Sequence, residues 1–324
     1  MKKFQFITHE FNDAYFNLAS EEYLLKQTDG FYFYLWINEP SVIVGVNQNA
    51  FQEVNLNYTE KNGIKVVRRL TGGGAVFHDY GNLCYTVIAP YEQAENAYKT
   101  FTAPVIEYLN SLGVKAEFSG RNDITVNGQK ISGNAQTVFA NRIMHHGTLL
   151  FSADMSRLGD ALNPSKLKME SKGIKSVRAR VTNIKEHLKT DMTITEFKDG
   201  LKKVFLNNAV EHQLNEKDLT AINKLVKEKY STYEWNIGRS PKGKNEFSFK
   251  FNFGILNFTF DTVNGNIENA NIHGDFFSRK DINEFAEKLN GVKFDRKNIL
   301  SAFSCVDEYI VGAIAIDIVN ELFR

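Results

Sequence analysis

Between residues 119 and 152 the chain offers three strand-like runs, at 123–127, 130–136 and 143–152, with no space for a helix between them. Asn127-Gly128 is a two-residue turn of the kind that joins antiparallel neighbours, so the first two runs read as a hairpin. Parallel neighbours would need a crossover of roughly a dozen residues or more. The chain is therefore not a regular strand–helix alternation; it mixes hairpin-like strand pairs with helices, an α+β pattern. Two further strands flank Asn38, Glu39 and Pro40 within residues 31–46, and others fit 64–69 and 83–89. Apolar residues at helical spacing (Phe16, Ala19, Tyr23, Leu24) mark a helix over 16–27, and the pattern predicts others at 95–112, 154–162, 195–208 and 216–229.

A chain of 324 residues exceeds what one core usually accommodates. The stretch 238–245, GRSPKGKN, combines glycine, proline and like charges, and alternating aromatic strands begin just after it at Phe247-Ser248-Phe249-Lys250-Phe251. The expected division is a large domain over 1–241 and a small α+β domain over 245–324. The latter reads as strand, strand around Asn264-Gly265-Asn266, strand, helix 278–289 and helix 295–322.

Charge decides against whole classes of partner. With 39 basic and 38 acidic side chains the formal net charge is +1, which gives no global field toward nucleic acid or an anionic membrane. Two cysteines, Cys84 and Cys305, form no CxxC pair and no zinc spacing, which fits a reducing compartment. No signal-peptide-like or membrane-spanning apolar run occurs, so a soluble cytoplasmic protein is expected.

Chemistry concentrates in four runs. In 67–82, VRRLTGGGAVFHDYGN, three successive glycines remove every side chain from one bend, so backbone N–H groups can converge on negative oxygen. Arg68 and Arg69 just upstream can pair bidentately with carboxylate or phosphate. The run is neither a Walker loop nor a spaced dinucleotide fingerprint, and a triple glycine alone reads as a turn between strands. In 119–136, SGRNDITVNGQKISGNAQ, an antiparallel register about the turn sets Thr125 opposite Lys130 and Asp123 one diagonal away near Ser132. Lys130 is then a candidate anion-binding cation beside a carboxylate able to ligate a metal. In 143–151 the adjacent His145 and His146 must face opposite sides of a strand and cannot easily share a metal. The run 172–184, KGIKSVRARVTNI, is basic, reads alone as a surface loop, and beside a nucleotide site could close as a lid.

Together these runs, with Phe16-Asn17-Leu18-Ala19-Ser20-Glu21-Glu22, Leu35-Trp36, Pro40 to Gly45 and Glu234-Trp235-Asn236, resemble the lipoate–protein ligase A family in order and spacing. The resemblance covers residues 12 to about 238 well and the remainder as an accessory domain of matching size. It implies a large mixed-sheet catalytic domain of the biotin/lipoate ligase type, similar to class II synthetases, and a ligase that forms lipoyl-AMP from lipoate and ATP with Mg2+. A lysine of a carrier domain, in an E2 subunit or the glycine cleavage H protein, would then receive the lipoyl group. By the resemblance Arg69, Gly74, Ala75, Val76 and Phe77 contact the adenylate, and Lys130 contacts both lipoate and phosphate as the catalytic cation. Leu18, Trp36, Arg68, Gly73, His78 and His146 line the lipoyl pocket. Asn122 and Asp123 fall in the phosphate and metal neighbourhood, with Mg2+ assigned to Asp123, and the loop over 168–184 brings Ser176 and Arg178 to the adenylate. Thr71 and Asn134 stand where many members carry serine, which keeps small polar chemistry and bears on substrate preference.

Two rival readings remain. A transferase of the same fold would carry the acyl group on a cysteine, but no cysteine lies between Lys130 and Phe151 and Cys84 sits in an apolar strand. A non-catalytic module would bind lipoyl-AMP or lipoyl domains without joining them. A monomer is expected, with no nucleic acid or membrane among its partners.

Overall fold

The computed structural model describes residues 4–7, 9–27, 30–91, 96–162, 181–206, 209–239, 245–263, 266–294 and 296–323. Eight strands form a mixed sheet: β1 (Phe4–Ile7), β2 (Tyr32–Ile37), β6 (Asn82–Pro90), β7 (Ala116–Ser119), β8 (Asp123–Val126), β9 (Gln129–Phe139), β10 (Arg142–Leu150) and β11 (Ala209–His212). Their order is β11-β1-β2-β6-β10-β9-β8-β7. The pairings of β1 with β11 and β2 are parallel and the others antiparallel; for β7 to β10, consecutive strands without helical spacers, no parallel pairing was open. A small second sheet, β4-β3-β5, joins β3 (Ser41–Val44) to β4 (Lys65–Arg68) and β5 (Val76–His78).

Both faces of the large sheet are covered, which is why β6 is buried along nearly its whole length. One face packs on α2 (Ala97–Ser111) and α3 (Ile194–Leu206) through Val105, Leu109, Phe197 and Leu201. The other packs on α1 (Ala14–Leu25) and α4 (Glu216–Leu225), with Leu18, Trp36, Cys84 and Met144 in that core. Asp13 caps α1 by accepting from the Tyr15 and Phe16 amides. Helix α1 is buried nearly all round, Asn17, Ser20, Glu21 and Glu22 included, and polar groups so placed must find partners.

The smaller C-terminal part is a three-stranded antiparallel sheet, β12 (Asn245–Phe251), β13 (Gly254–Val263) and β14 (Asn266–Gly274), backed by α5 (Ile282–Leu289), α6 (Arg296–Ala302) and α7 (Ala315–Leu322). Phe258, Phe276, Phe285 and Phe303 fill its core. Two sequence expectations are corrected here. The single helix expected over 295–322 is broken: a 3-10 turn, Phe303–Glu308, follows α6, and Gly312 takes a left-handed φ of 79° before α7 begins. The hairpin after residue 119 carries a register shift between Ile124 and Thr125, so Asp123 pairs with Gly133 and Ile124 with Ser132, while Thr125 does face Lys130. The expected turn at Asn264-Gly265 lies outside the described residues. No described helix is long and apolar enough to cross a membrane.

Candidate functional site

The glycine bend is built from inside by Arg69. Its guanidinium, 6% exposed, donates from Nη2 to the carbonyls of Gly72 (2.7 Å) and Gly74 (2.9 Å), from Nη1 to Ile43 O (3.1 Å) and from Nε to Thr71 Oγ1 (2.9 Å). In a trans peptide the carbonyl and the following N–H point opposite ways. Pinning these two carbonyls on Arg69 therefore turns the amides of Gly73 and Ala75 away from it. Gly73 adopts φ 94°, which a residue with a side chain rarely does. Its amide meets the carbonyl of Phe276 at 3.3 Å, from the loop that follows β14, and a methyl at Gly72 would strike that same carbonyl.

Arg68 is also fully buried, and it donates to protein carbonyls: Gly45 (2.9 Å), Val46 (3.3 Å), Gln48 (2.6 Å), Trp235 (3.1 Å) and Asn236 (3.0 Å). Burial brings both guanidinium groups down to about 10, Arg68 with help from the positive charges of Arg239 and Arg69, and both stay cationic at neutral pH. The Arg68 charge thus fastens the β4 end to 45–48 and 235–236, and Arg69 carries the bend.

From the bend a chain of hydrogen bonds crosses to α1. Thr71 Oγ1, which accepts from Arg69, lies 2.8 Å from His146 Nε2. His146 Nδ1 is 2.9 Å from Glu21 Oε1. Because an ionised carboxylate only accepts, Nδ1 carries a proton, and the Thr71 hydroxyl can donate to Nε2. Glu21 also accepts from Thr86 Oγ1 (2.6 Å), which in turn accepts from the Trp36 indole (3.0 Å). Trp36, His146 and the glycine bend are therefore all indexed to one carboxylate that is 1% exposed. Sequence reading missed Glu21 as a site residue; its signal is an acidic residue at helical spacing inside an otherwise buried face.

His78 sits in the same region. Asn38 Nδ2 is 3.1 Å from its Nδ1, and Cys84 Sγ is 3.8 Å away. Since the Asn38 amide donates, the imidazole proton belongs on Nε2, a buried atom with no hydrogen-bond partner among the described residues. Burial, aided by the charge of Arg69, lowers His78 to about 3. Burial, reinforced by the Glu21 carboxylate, pushes the Cys84 thiol well up, so it is no thiolate nucleophile.

Across the sheet, the β8–β9 hairpin presents Lys130. Its Nζ is 2.8 Å from Asp123 Oδ1, and both side chains are 35% exposed. That contact is an ion pair without an aligned hydrogen bond, since Oδ1 is otherwise unpartnered. A side chain at Gly133 would collide with the ammonium, so the glycine leaves it room. Asn122 Nδ2 donates to Asn134 O (2.6 Å), closing the hairpin end. Val181 bridges to Lys130, and the Thr182 amide donates to its carbonyl (3.0 Å), so the described end of the basic run pairs with the Lys130 backbone. Ser176 and Arg178 themselves, with the rest of 163–180, lie outside the described residues.

Of the remaining expected residues, Leu18 and Trp36 are buried in the α1-side core with Ile43 and Met144, while Gly74, Ala75 and Val76 are half-buried and Phe77 is buried. No group of three or more His, Cys, Asp or Glu side chains able to hold a metal occurs among the described residues. An open cleft of about 250 Å³ lined by Glu22, Leu25, Lys26, Leu70, Thr137, Val138, Phe139 and Lys229 touches none of the sequence-expected site residues.

The profile of the lipoyl protein ligase A/B catalytic domain matches residues 13–206, and that of the bacterial lipoate protein ligase C-terminus matches residues 240–322. Lipoate-protein ligase LplJ of Bacillus subtilis is 44% identical over 304 residues, covering 91% of this chain and 92% of its own length. A crystal structure of P. falciparum LipL1 in complex with lipoate superposes with a TM-score of 0.77 at 29% identity, over 98% of this chain and 97% of that one. A lipoate-protein ligase A bound with ATP gives a TM-score of 0.65 at 28% identity, over 74% and 99%.

Proposed function

The chain belongs to the lipoate–protein ligase family and is a ligase of that kind, and from this premise we propose that it forms lipoyl-AMP between the glycine bend and the Lys130 hairpin and passes the acyl group to a carrier lysine. In this reading residues 1–241 are catalytic and residues 245–324 accessory. The protein works as a cytoplasmic monomer on lipoyl domains of E2 subunits or the glycine cleavage H protein.

A carboxylate is a poor acyl donor, so its oxygen first attacks the α-phosphorus of ATP, the bond to the bridging oxygen breaks, and pyrophosphate leaves. Negative charge builds on phosphate oxygens, and what the protein must supply is fixed positive potential. Lys130 supplies it as an ammonium, held by Asp123 and given space by Gly133. The amides of Gly73 and Ala75, aimed by the Arg69 clamp on Gly72 and Gly74, supply it as dipoles. The Phe276 carbonyl now occupies the Gly73 amide, so a phosphate oxygen binding there exchanges one acceptor for another. Arg69, Gly74, Ala75, Val76, Phe77, Asn122, Ser176 and Arg178 complete the adenylate contacts in this reading. Asp123, whose Oδ1 lacks an aligned donor, suits Mg2+, which takes one or two carboxylates beside substrate phosphates and would neutralise charge on them.

Lipoate lies on the α1 side, against Leu18, Trp36, Arg68, Gly73, His78, Lys130 and His146. The unpartnered His78 Nε2–H offers it a donor, and apolar walls keep water from the activated acyl group. In the second step the carrier amine attacks the carbonyl carbon, the bond to AMP breaks, and the amine proton leaves to solvent. No protein nucleophile is used, in keeping with the raised Cys84 thiol.

The Lys130 ammonium beside Asp123 is the observation that carries the assignment. Lys130→Ala is expected to lower lipoate-dependent pyrophosphate release by about a hundredfold or more, the scale of losing a fixed oxyanion donor, while the fold melts normally. Near wild-type release by that variant would remove Lys130 from the chemistry. Running the assay with lipoate, octanoate and biotin, with and without a carrier domain, identifies the substrate and the half-reaction together.

A further inference from the structure

Tyr85 and Asn134 stand on strands that are not neighbours. Both face Gly147 of β10, Tyr85 from β6 and Asn134 from β9. Their side chains nevertheless meet over that glycine, Tyr85 Oη donating to Asn134 Oδ1 at 2.5 Å, and a methyl at Gly147 would collide with both. A glycine inside a strand often marks such a close approach.

The orientation of the Asn134 amide follows from its partners. Nδ2 donates to Asn122 O (3.1 Å) and Ser132 Oγ (3.3 Å), which leaves Oδ1 to accept from Tyr85. The Tyr85 oxygen can then accept from His145 Nε2 (3.3 Å), and His145 Nδ1 accepts from Gln136 Nε2 (2.9 Å). Burial lowers His145 to about 3, so it is neutral with a single proton, which the Gln136 donor to Nδ1 leaves on Nε2. At the far end the Asn122 carbonyl takes both the side chain and the backbone N–H of Asn134 (2.9 Å), and Asn122 returns a bond to Asn134 O. That clamp lies at the bulged end of the hairpin, where Asp123 pairs with Gly133.

We propose that Tyr85 and Asn134 are positioning residues for adenylation: the hydroxyl reaching over Gly147 fixes the Asn134 amide, which holds Asn122 and so sets Asp123 and the Lys130 ammonium against the phosphates. Neither residue touches substrate. Without the hydroxyl the amide can turn, putting Oδ1 against the Asn122 carbonyl and loosening a hairpin end that only the Asn134 N–H and the Asn122 amide then hold. The network faces α2, on the opposite side of β10 from Glu21 and His146, so its loss acts on Asp123 and Lys130 and leaves the Trp36–Glu21–His146 side of the lipoyl pocket in place. The inference rests on the reading of Lys130 given above.

The test is lipoate-dependent ATP–pyrophosphate exchange with Tyr85→Phe and Asn134→Asp, each of nearly unchanged size, beside Lys130→Ala and the wild-type chain. The expected result is a loss of about tenfold in kcat/KM for MgATP, the order for sub-ångström misplacement of a reacting group, with a smaller rise in KM for lipoate, which Lys130 also meets. Wild-type exchange in both variants while Lys130→Ala is dead overturns the positioning role and leaves the site reading intact. A parallel rise of both KM values with a lowered melting temperature also overturns it, as that is the mark of a loosened fold. Full exchange by Lys130→Ala overturns the site reading, and this inference with it.

Discussion

Replacing Glu21 by Gln keeps the shape of the side chain and removes its charge. The carboxylate accepts Thr86 Oγ1 at 2.6 Å and His146 Nδ1 at 2.9 Å, both buried donors. Both meet Oε1, while Oε2 lies 3.1 Å from the same His146 Nδ1, so an amide keeps one oxygen for the two donors, sets an N–H₂ against the imidazole N–H and takes the charge from both bonds. A bond to a charged group contributes about 1.5–3 kcal/mol, and a buried donor left unmade costs about 1–3 kcal/mol. Thr86 can rotate its hydroxyl, whereas the imidazole is tied to Thr71 at its other nitrogen, so the loss falls on His146. A net destabilisation of about 2–3 kcal/mol follows, a large part of the ~5–15 kcal/mol that holds most domains folded. Since His146 and the Trp36 indole also answer to Glu21, lipoate binding should weaken as well, by about 2 kcal/mol or roughly thirtyfold in KM. Urea unfolding of Glu21→Gln, His146→Gln and the double variant, with lipoate titrations of each, measures both parts. The double variant should lose less than the sum of the singles by at least about 1 kcal/mol. Additive losses, or an unchanged lipoate KM in Glu21→Gln, would refute the hub.

Acid should destabilise the protein well above the carboxylate range. His78 and His145 are each held near 3 in the fold against an ordinary 6.5, so the unfolded chain binds more protons between those values and stability falls as pH drops through that window. At pH 5 this amounts to about 2 kcal/mol for each histidine relative to pH 7, whereas Glu22 and Asp218, whose values are lowered, act only below about 4; urea unfolding at pH 7, 6 and 5 reads it, and a flat profile contradicts the burial argument. Gly45→Ala should act on the bend from behind, because the added methyl would strike the Gly73 carbonyl and crowd Arg69 Nη2. Expect about 1–3 kcal/mol of lost stability from overpacking and a larger fractional loss of pyrophosphate exchange, whereas a silent Gly45→Ala would mean the bend can shift freely.

Much of the large sheet was legible because its strands announce themselves locally. Asn127-Gly128 fixes the Thr125–Lys130 pairing, and strand alternation alone predicts that His145 and His146 diverge, as their partners from α2 and α1 show. The bulge after Ile124 has no comparable signal, so the sequence places Asp123 near Ser132 rather than opposite Gly133. The arginines show a different limit. Two cations before three glycines suggest a ligand, but the carbonyls that take their donors come from 43–48, 72–74 and 235–236, and only the closed fold brings those together. Glu21 and Tyr85 were invisible for the same reason: their partners lie 125 and 49 positions away in sequence.

The two histidines explain why both halves of the site answer to one strand. His146 ties the α1 face of β10 to Glu21 and, through Thr71, to the glycine bend. His145 ties the other face to Tyr85 and, through Asn134, to the Lys130 hairpin. In-line displacement at phosphorus needs the carboxylate and the phosphate each held within about half an ångström of the productive geometry. Anchoring both to neighbouring residues of the same buried strand makes their errors shared, so a small shift of β10 carries the lipoyl pocket and the phosphate cradle together. Perturbing one face alone should therefore harm exchange more than loosening the strand as a whole, which is why Glu21→Gln and Tyr85→Phe are expected to raise different Michaelis constants.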